Sequence, residues 1–160
     1  MKNFLMACMT AFSLAACAPD KAKNNEEFPE QEKAEAGKSA VEAVINDPTK
    51  GLGAVKNVVL KTPLEAERVD RGLAIYDMKC SACHKLTDQR VVGPGWKDVT
   101  VRRKPEWIMN MITNVDVMLE KDPEAQKLLE LCLMRMPNQN MSIGDARDVL
   151  EFMRKNDGAK

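Results

Sequence analysis

Apolar positions fall along this chain in four regimes. Residues 4–16 form an almost unbroken apolar run, shorter than the roughly 20 residues that a membrane-spanning helix needs. Residues 18–37 are dominated by Lys, Glu, Asn, Ala and Pro around a single large apolar side chain, Phe28. With so little to bury, this stretch is expected to be a solvated tether. Residues 39–45 and 52–60 carry short apolar groupings, Val41, Val44 and Ile45, then Leu52, Val55, Val58 and Val59. They predict two short helices split by Asp47-Pro48. From Pro63 onward the spacing is helical throughout. A first helix starts at Pro63 with Leu64, Val69, Leu73 and Tyr76 on a broad face, and Gly72 sits where a crossing helix can approach closely. Lys104-Pro105 opens a second helix through Trp107, Ile108, Met111 and Ile112, proline being tolerated in the first turn. Asp122-Pro123 starts a third with Ala125, Leu128, Leu129 and Cys132 on one stripe. Ser142, with Asp145 in the first turn, caps a last helix bearing Ala146, Val149, Leu150 and Met153. No run alternates long enough for a strand, and no repeat is present. The fold class is all-α.

The N-terminal run acquires a meaning from its flanks. Lys2 precedes it and Leu14-Ala15-Ala16-Cys17 closes it, the layout of a signal peptide. The closing tetrapeptide resembles the lipobox of bacterial lipoproteins, in which the cysteine thiol is diacylated and becomes residue one. Cys17 is thus expected to carry lipid and to hold the protein on the outer face of a bacterial membrane. A plain secretory peptide cut near Ala16 or Ala18 is the alternative. Charge excludes one class of partner: 24 basic residues balance 24 acidic ones, and no basic stripe is available for nucleic acid.

The only histidine of the chain lies in Cys80-Ser81-Ala82-Cys83-His84. Two thiols at this spacing can add across the two vinyl groups of a haem while the adjacent imidazole binds the iron, the c-type attachment pattern. A thioredoxin-like dithiol needs a βαβ context that is missing. A zinc site needs two further ligands, and neither a second cysteine pair nor another histidine exists. Of five cysteines, Cys8 leaves with the signal peptide, Cys17 takes lipid and two hold haem. Cys132 remains alone, so no disulfide framework forms; on its apolar stripe it reads as a small buried hydrophobe.

A helix, Cys-x-x-Cys-His, a Gly-Pro loop, two middle helices, a Met-Pro pair and a closing amphipathic helix together resemble class I monohaem cytochrome c, over roughly residues 64–154. The resemblance divides the chain into a signal peptide (1–16), a tether (17–38), a short helical extension (39–61) and a cytochrome c domain (62–160). It implies one covalent haem c and a crossing of the first and last helices, with Gly72 and Tyr76 against Leu150 and Met153. Val92-Gly93-Pro94 resembles the loop whose proline carbonyl accepts the imidazole Nδ1 proton. Met136, followed by Pro137 in a loop between helices, resembles the family's sixth ligand, a soft thioether that favours ferrous iron. Met141 and Met134 are its rivals; Met109, Met111, Met118 and Met153 fit packing positions. Arg102, Arg103 and Lys104 form a basic cluster that could pair with the haem propionates. Trp107 could donate an indole hydrogen bond there, and Trp96 could wall the ring.

An iron with both axial positions filled by protein has no open site for substrate, so the expected function is one-electron transfer. The expected partners are respiratory redox proteins: a quinol-oxidising complex as donor and a terminal oxidase or periplasmic reductase, one for a nitrogen oxide being favoured slightly, as acceptor. The competing reading is a haem enzyme or gas sensor with an open or labile sixth position, and Met136 discriminates between the two. A structural lipoprotein with a degenerate site is hard to reconcile with the intact pentapeptide.

Overall fold

The computed structural model describes residues 47–160; the predicted signal peptide and tether, Cys17, and the short helix predicted at 39–45 lie outside them. Six α-helices follow a single turn of 3-10 helix at Pro48–Lys50: α1 Ala66–Ile75, α2 Val99–Arg102, α3 Pro105–Thr113, α4 Val115–Lys121, α5 Pro123–Cys132 and α6 Ile143–Asn156. Among the described residues no strand forms, only an isolated bridge between His84 and Arg90, and no helix is long and apolar enough to cross a membrane.

α1 begins at Ala66 rather than at Pro63. Glu65 stays extended because its amide donates to the Glu151 carboxylate (3.2 Å), a tertiary bond that fixes the start. α1 then crosses α6 at Gly72, where a Cβ would press into the Asp148 carbonyl and stand 2.8 Å from Phe152 Cβ. Tyr76 lies against Phe152, ring centroids 5.4 Å apart. The crossing therefore uses Asp148 and Phe152, not the predicted Leu150 and Met153. Positions 148 and 152 form one ridge of α6, while Val149 and Met153 line cavities on its other side. Leu73, placed on the buried face by its spacing, is exposed.

The crossing is framed by charge. Asp148 accepts from Arg68 Nη1 (2.6 Å) and Arg71 Nε (2.6 Å), and buried Glu151 pairs with Arg147 and with Arg154 (2.7 Å). α6 itself starts with a full capping box, Ser142 and Asp145 each bonding the other's backbone amide.

Residues 52–60 are not the predicted helix. They run as an extended strap across α3 and α4, and its buried side chain is Val55. Their backbone groups are satisfied by side chains instead of by i−4 carbonyls. Asn110, fully buried, donates to the Lys50 and Val55 carbonyls (3.0 and 2.9 Å) and accepts the Val55 amide (3.0 Å). Glu106 accepts the Val58 amide, Asn114 donates to the Leu52 carbonyl, and Met118 Sδ receives the Leu52 amide. The apolar spacing of Val55 and Val58 reports burial, and a strap satisfies it as well as a helix.

The short helices α2 and α4 were not predicted. α2 is held from outside, Asp157 beyond α6 accepting the Asp98 amide and the Thr100 amide and hydroxyl. α4 shares Asn114 with the end of α3 and Asp122 with the start of α5.

The Asp148 cluster carries a pH dependence. Burial raises the Asp148 carboxyl, but hydrogen bonds from Arg71 and Arg68 outweigh it and hold it below its ordinary value. A carboxyl depressed in the folded state adds stability that is complete above the unfolded value near 3.9 and is lost as pH falls through the folded one. Asp148→Asn is expected to cost about 2 kcal/mol at pH 7, on the scale of hydrogen bonds to charged groups, and to flatten the loss of stability below about pH 4. Thermal melts followed by circular dichroism from pH 7 to pH 3 check both.

Candidate cofactor site

α1 does not stop at Ile75; it widens into a π turn over Tyr76–Cys80, closed by the Ser81 amide on the Tyr76 carbonyl (2.9 Å). Such turns are frequent at functional sites. Here it sets Cys80 at the head of a tight turn in which the amides of Cys83 and His84 both donate to the Cys80 carbonyl (3.0 and 2.9 Å). The Tyr76 hydroxyl donates to the His84 carbonyl (2.9 Å). The two thiols and the imidazole are thus placed by backbone bonds anchored in α1.

The loop after His84 folds back on it. The Gly93 amide donates to the Cys83 carbonyl and the Trp96 amide to the Lys85 carbonyl, bringing the Pro94 carbonyl 2.8 Å from His84 Nδ1. A carbonyl can only accept, so Nδ1 carries the ring proton and the Nε2 lone pair is left for a metal. Burial holds the imidazole below its ordinary pKa, with the Pro94 bond opposing in part, which keeps the ligand form neutral. Burial also pushes the Cys80 thiol up to about 11. Gly93 lies against the imidazole so closely that a Cβ would stand 2.8 Å from Nδ1. Trp96 tilts against the ring at 5.4 Å between centroids and against Tyr76 at 5.0 Å.

Cys83 and His84 open onto an apolar cavity of about 430 Å³, walled by α3 (Ile108, Met111, Ile112), α5 (Leu128, Leu129) and the loop bearing Met136. That volume lies in the ordinary range for bound organic ligands. A second cavity of about 40 Å³ joins Cys80, Cys83, His84, Met136 and Met141. Met136 thus belongs to both spaces, Met141 to the smaller and Met134, mostly exposed, to the rim of the larger. Met109 and Met118 are buried packing residues as expected, whereas Met111 and Met153 also line the large cavity.

The basic cluster separates. Arg102 lines the cavity and ties the loop, its Nη2 donating to the carbonyls of Gly95 (3.2 Å) and Lys97 (2.9 Å). Arg103 stacks on Trp107 (4.7 Å) and pairs with Glu124 (2.9 Å). Lys104 turns to Asp47 (2.7 Å). The predicted propionate bond from Trp107 is corrected: its indole N–H donates to Asp122 (3.2 Å), the N-cap of α5, while the ring faces the cavity. Cys132 is half-buried with a free thiol and lines the cavity, rather than being sealed in a core. The hydroxyl of Tyr76 was missed because a bond to the histidine carbonyl eight residues on leaves no local pattern.

No three His, Cys, Asp or Glu side chains gather as a metal-ligating group among the described residues, so the zinc reading lacks a ligand set. Residues 69–157 match the family model for cytochrome c. The chain belongs to the cytochrome c family. Cytochrome c from Rhodothermus marinus is 33% identical, with a TM-score of 0.65 over 72% of this chain and 96% of that one. An engineered form of that protein is 32% identical, with a TM-score of 0.65, covering 69% and 98%. The same engineered protein has been solved bound to a carbene intermediate, at 32% identity, a TM-score of 0.62 and the same coverage. No curated protein matches the chain.

This is a class I monohaem cytochrome c, built to carry covalent haem c and to transfer electrons. The residues present fit that group: an apolar cavity, two thiols at its edge, a neutral imidazole with a free Nε2, and thioethers on the same walls. Because Gly93 has no room for a side chain, Gly93→Ala is expected to displace the imidazole and lengthen the Pro94 bond. The holoprotein should lose about 1–3 kcal/mol, the usual cost of overpacking. Its melting temperature and the solvent exchange of the Nδ1 proton by NMR measure this.

Proposed function

We propose that this cytochrome c is a membrane-tethered one-electron carrier of a respiratory chain. The observation that carries the reading is the pairing, on one apolar cavity, of His84, its tautomer fixed by Pro94, with Met136 on a loop between α5 and α6. Cys80 and Cys83 would form the thioethers, His84 would hold the iron through Nε2, and Met136 would supply its thioether as the second protein ligand. When bound, the haem supplies a single electron exchanged reversibly at iron. Everything else falls to the chain. Pro94 keeps the imidazole a strong donor, Met136 would favour the reduced metal, and Trp96 and Arg102, on the cavity wall, would lie against the cofactor. The apolar walls keep water from the metal. With His84 and Met136 both holding the iron, no site would be left for a substrate, and exchange with a docked partner would be the chemistry left.

A lipid on Cys17 would hold the domain on the periplasmic face of a bacterial membrane. The polar stretch that follows it in sequence, residues 18–37, would serve as a leash between two complexes, and both would see the domain at a raised local concentration. A quinol-oxidising complex suits the role of donor, and a terminal oxidase or a periplasmic reductase, such as one for a nitrogen oxide, that of acceptor.

One observation favours the alternative of a labile sixth position. Among the described residues, positions 134–141, which contain Met136, make no backbone-to-backbone hydrogen bond. The two readings part on substitution. Met136→Ala is expected to abolish the ferric sulfur-to-iron charge-transfer band and lower the potential, and Met141→Ala to leave the band in place. If Met141→Ala alone removes the band, the wrong sulfur has been assigned; if the wild type has no such band, the carrier reading fails.

The tether has its own test. Cys17→Ser with an intact signal peptide should release soluble cytochrome with unchanged spectrum and potential, and slow electron delivery in whole cells. Retention in the membrane fraction after a high-salt wash would exclude Cys17 as the anchor.

A further inference from the structure

The loop that carries Met136 has little of its own to stand on. Its backbone takes no backbone partner from 134 to 141, and Leu133 and Asn140 at its two ends adopt positive φ (55° and 51°). Side chains from elsewhere hold it. Asp116, in the first turn of α4, accepts from Arg135 Nη2 through one carboxylate oxygen (3.1 Å) and from Asn138 Nδ2 through the other (3.3 Å). These two residues bracket Met136 and Pro137. Lys79, in the π turn before Cys80, donates to the Gln139 carbonyl (3.1 Å). α4 is in turn fixed from beneath by buried Val115, Met118 and Leu119.

We propose that Asp116 is a positioning residue for the sixth ligand: its carboxylate clamps the loop on both sides of Met136 and so sets how readily the thioether leaves the iron. This rests on the assignment of Met136 as that ligand. Arg135 stands on the wall of the large cavity while Asp116 and Asn138 do not line it, so the carboxylate itself acts only through the loop. Its Arg135 partner, ahead of Asn138, holds the carboxyl below its ordinary value, so the clamp is charged at neutral pH. Asp116 and Arg135 are both more than half exposed, and an exposed pair is weak and screened by salt. A weak external clamp suits a ligand that must stay bound through each redox cycle on a loop lacking a backbone ladder.

The test uses the full-length holoprotein and three readouts: the rate of carbon monoxide binding to the ferrous form, the ferric charge-transfer band and the potential. Asp116→Ala is expected to speed carbon monoxide binding about fivefold, the scale of losing one exposed charged contact, to weaken the band without abolishing it, and to lower the potential. Glu120→Gln, on an exposed carboxylate of the same helix, should change none of the three. Exchanging the charges in the double variant Asp116→Arg, Arg135→Asp should return the rate toward the wild-type value, and raising ionic strength should speed the wild type but not Asp116→Ala. If Asp116→Ala lowers the melting temperature while the rate and the band stay at wild-type values, Asp116 is merely structural and the proposal is overturned. If Met136→Ala keeps the band, the ligand assignment itself fails and takes the clamp with it, and that outcome is read from a different variant.

Discussion

The hydrogen bond between His84 Nδ1 and the Pro94 carbonyl, 2.8 Å long, decides more of this molecule than its size implies. It puts the ring proton on the side away from the metal, so Nε2 is a neutral donor without any change of pH. It also requires a glycine next to the proline, since Gly93 lies flat against the imidazole where a side chain cannot fit. The loop must return to within a hydrogen bond of the turn it left, and the Cys83, Lys85 and Thr87 carbonyls accept the amides that bring it there. Arg102 closes that loop on its far side.

That bond is only as firm as the element that delivers His84. α1 is pressed onto α6 at Gly72, with no Cβ between the two backbones, and the contact is ringed by Arg68, Arg71 and Arg154 paired to buried carboxylates. The same packing turns Val149 and Met153 of α6 toward the cavities, so one crossing both places the imidazole and builds part of the wall facing the cofactor. The strap at 52–60 does comparable service behind α3. Asn110, bonded twice to the strap's backbone at Val55 and once to the Lys50 carbonyl just before it, shields the helix whose other side chains, Ile108, Met111 and Ile112, line the large cavity. Met136, the proposed sixth ligand, is the exception, carried by a loop that borrows its support from α4 and the π turn.

Much of the site was legible because its chemistry is local. Two thiols and an imidazole must sit within five residues to serve one haem, and a proline carbonyl ten residues on reaches the ring through a short return loop; Cys80, Cys83, His84 and Pro94 stand together for that reason. Helix starts at Pro105, Pro123 and Ser142 were readable from their caps. What escaped was settled at long range. Whether Val55 and Val58 belong to a helix or to a strap depends on Asn110, more than fifty residues away in sequence. α2 depends on Asp157, and the start of α1 on Glu151. The partners of Gly72 and Tyr76 were misread by one or two positions because family resemblance gives the helices that cross but not which ridge of α6 meets α1. Trp107 is a possible propionate donor by sequence, but Asp122 holds its N–H, a choice that composition cannot reveal.

An iron held between the His84 imidazole and the Met136 thioether, as proposed, would let nothing but an electron pass. X-ray absorption at the iron edge of the purified holoprotein, in ferric and ferrous states, addresses this without any mutation. One sulfur neighbour at bonding distance is expected in both states, with nitrogen filling the remaining positions. A shell of light atoms alone, with oxygen or nothing in place of sulfur in either state, would contradict it and return the protein to the class of haem proteins that bind a substrate or a gas.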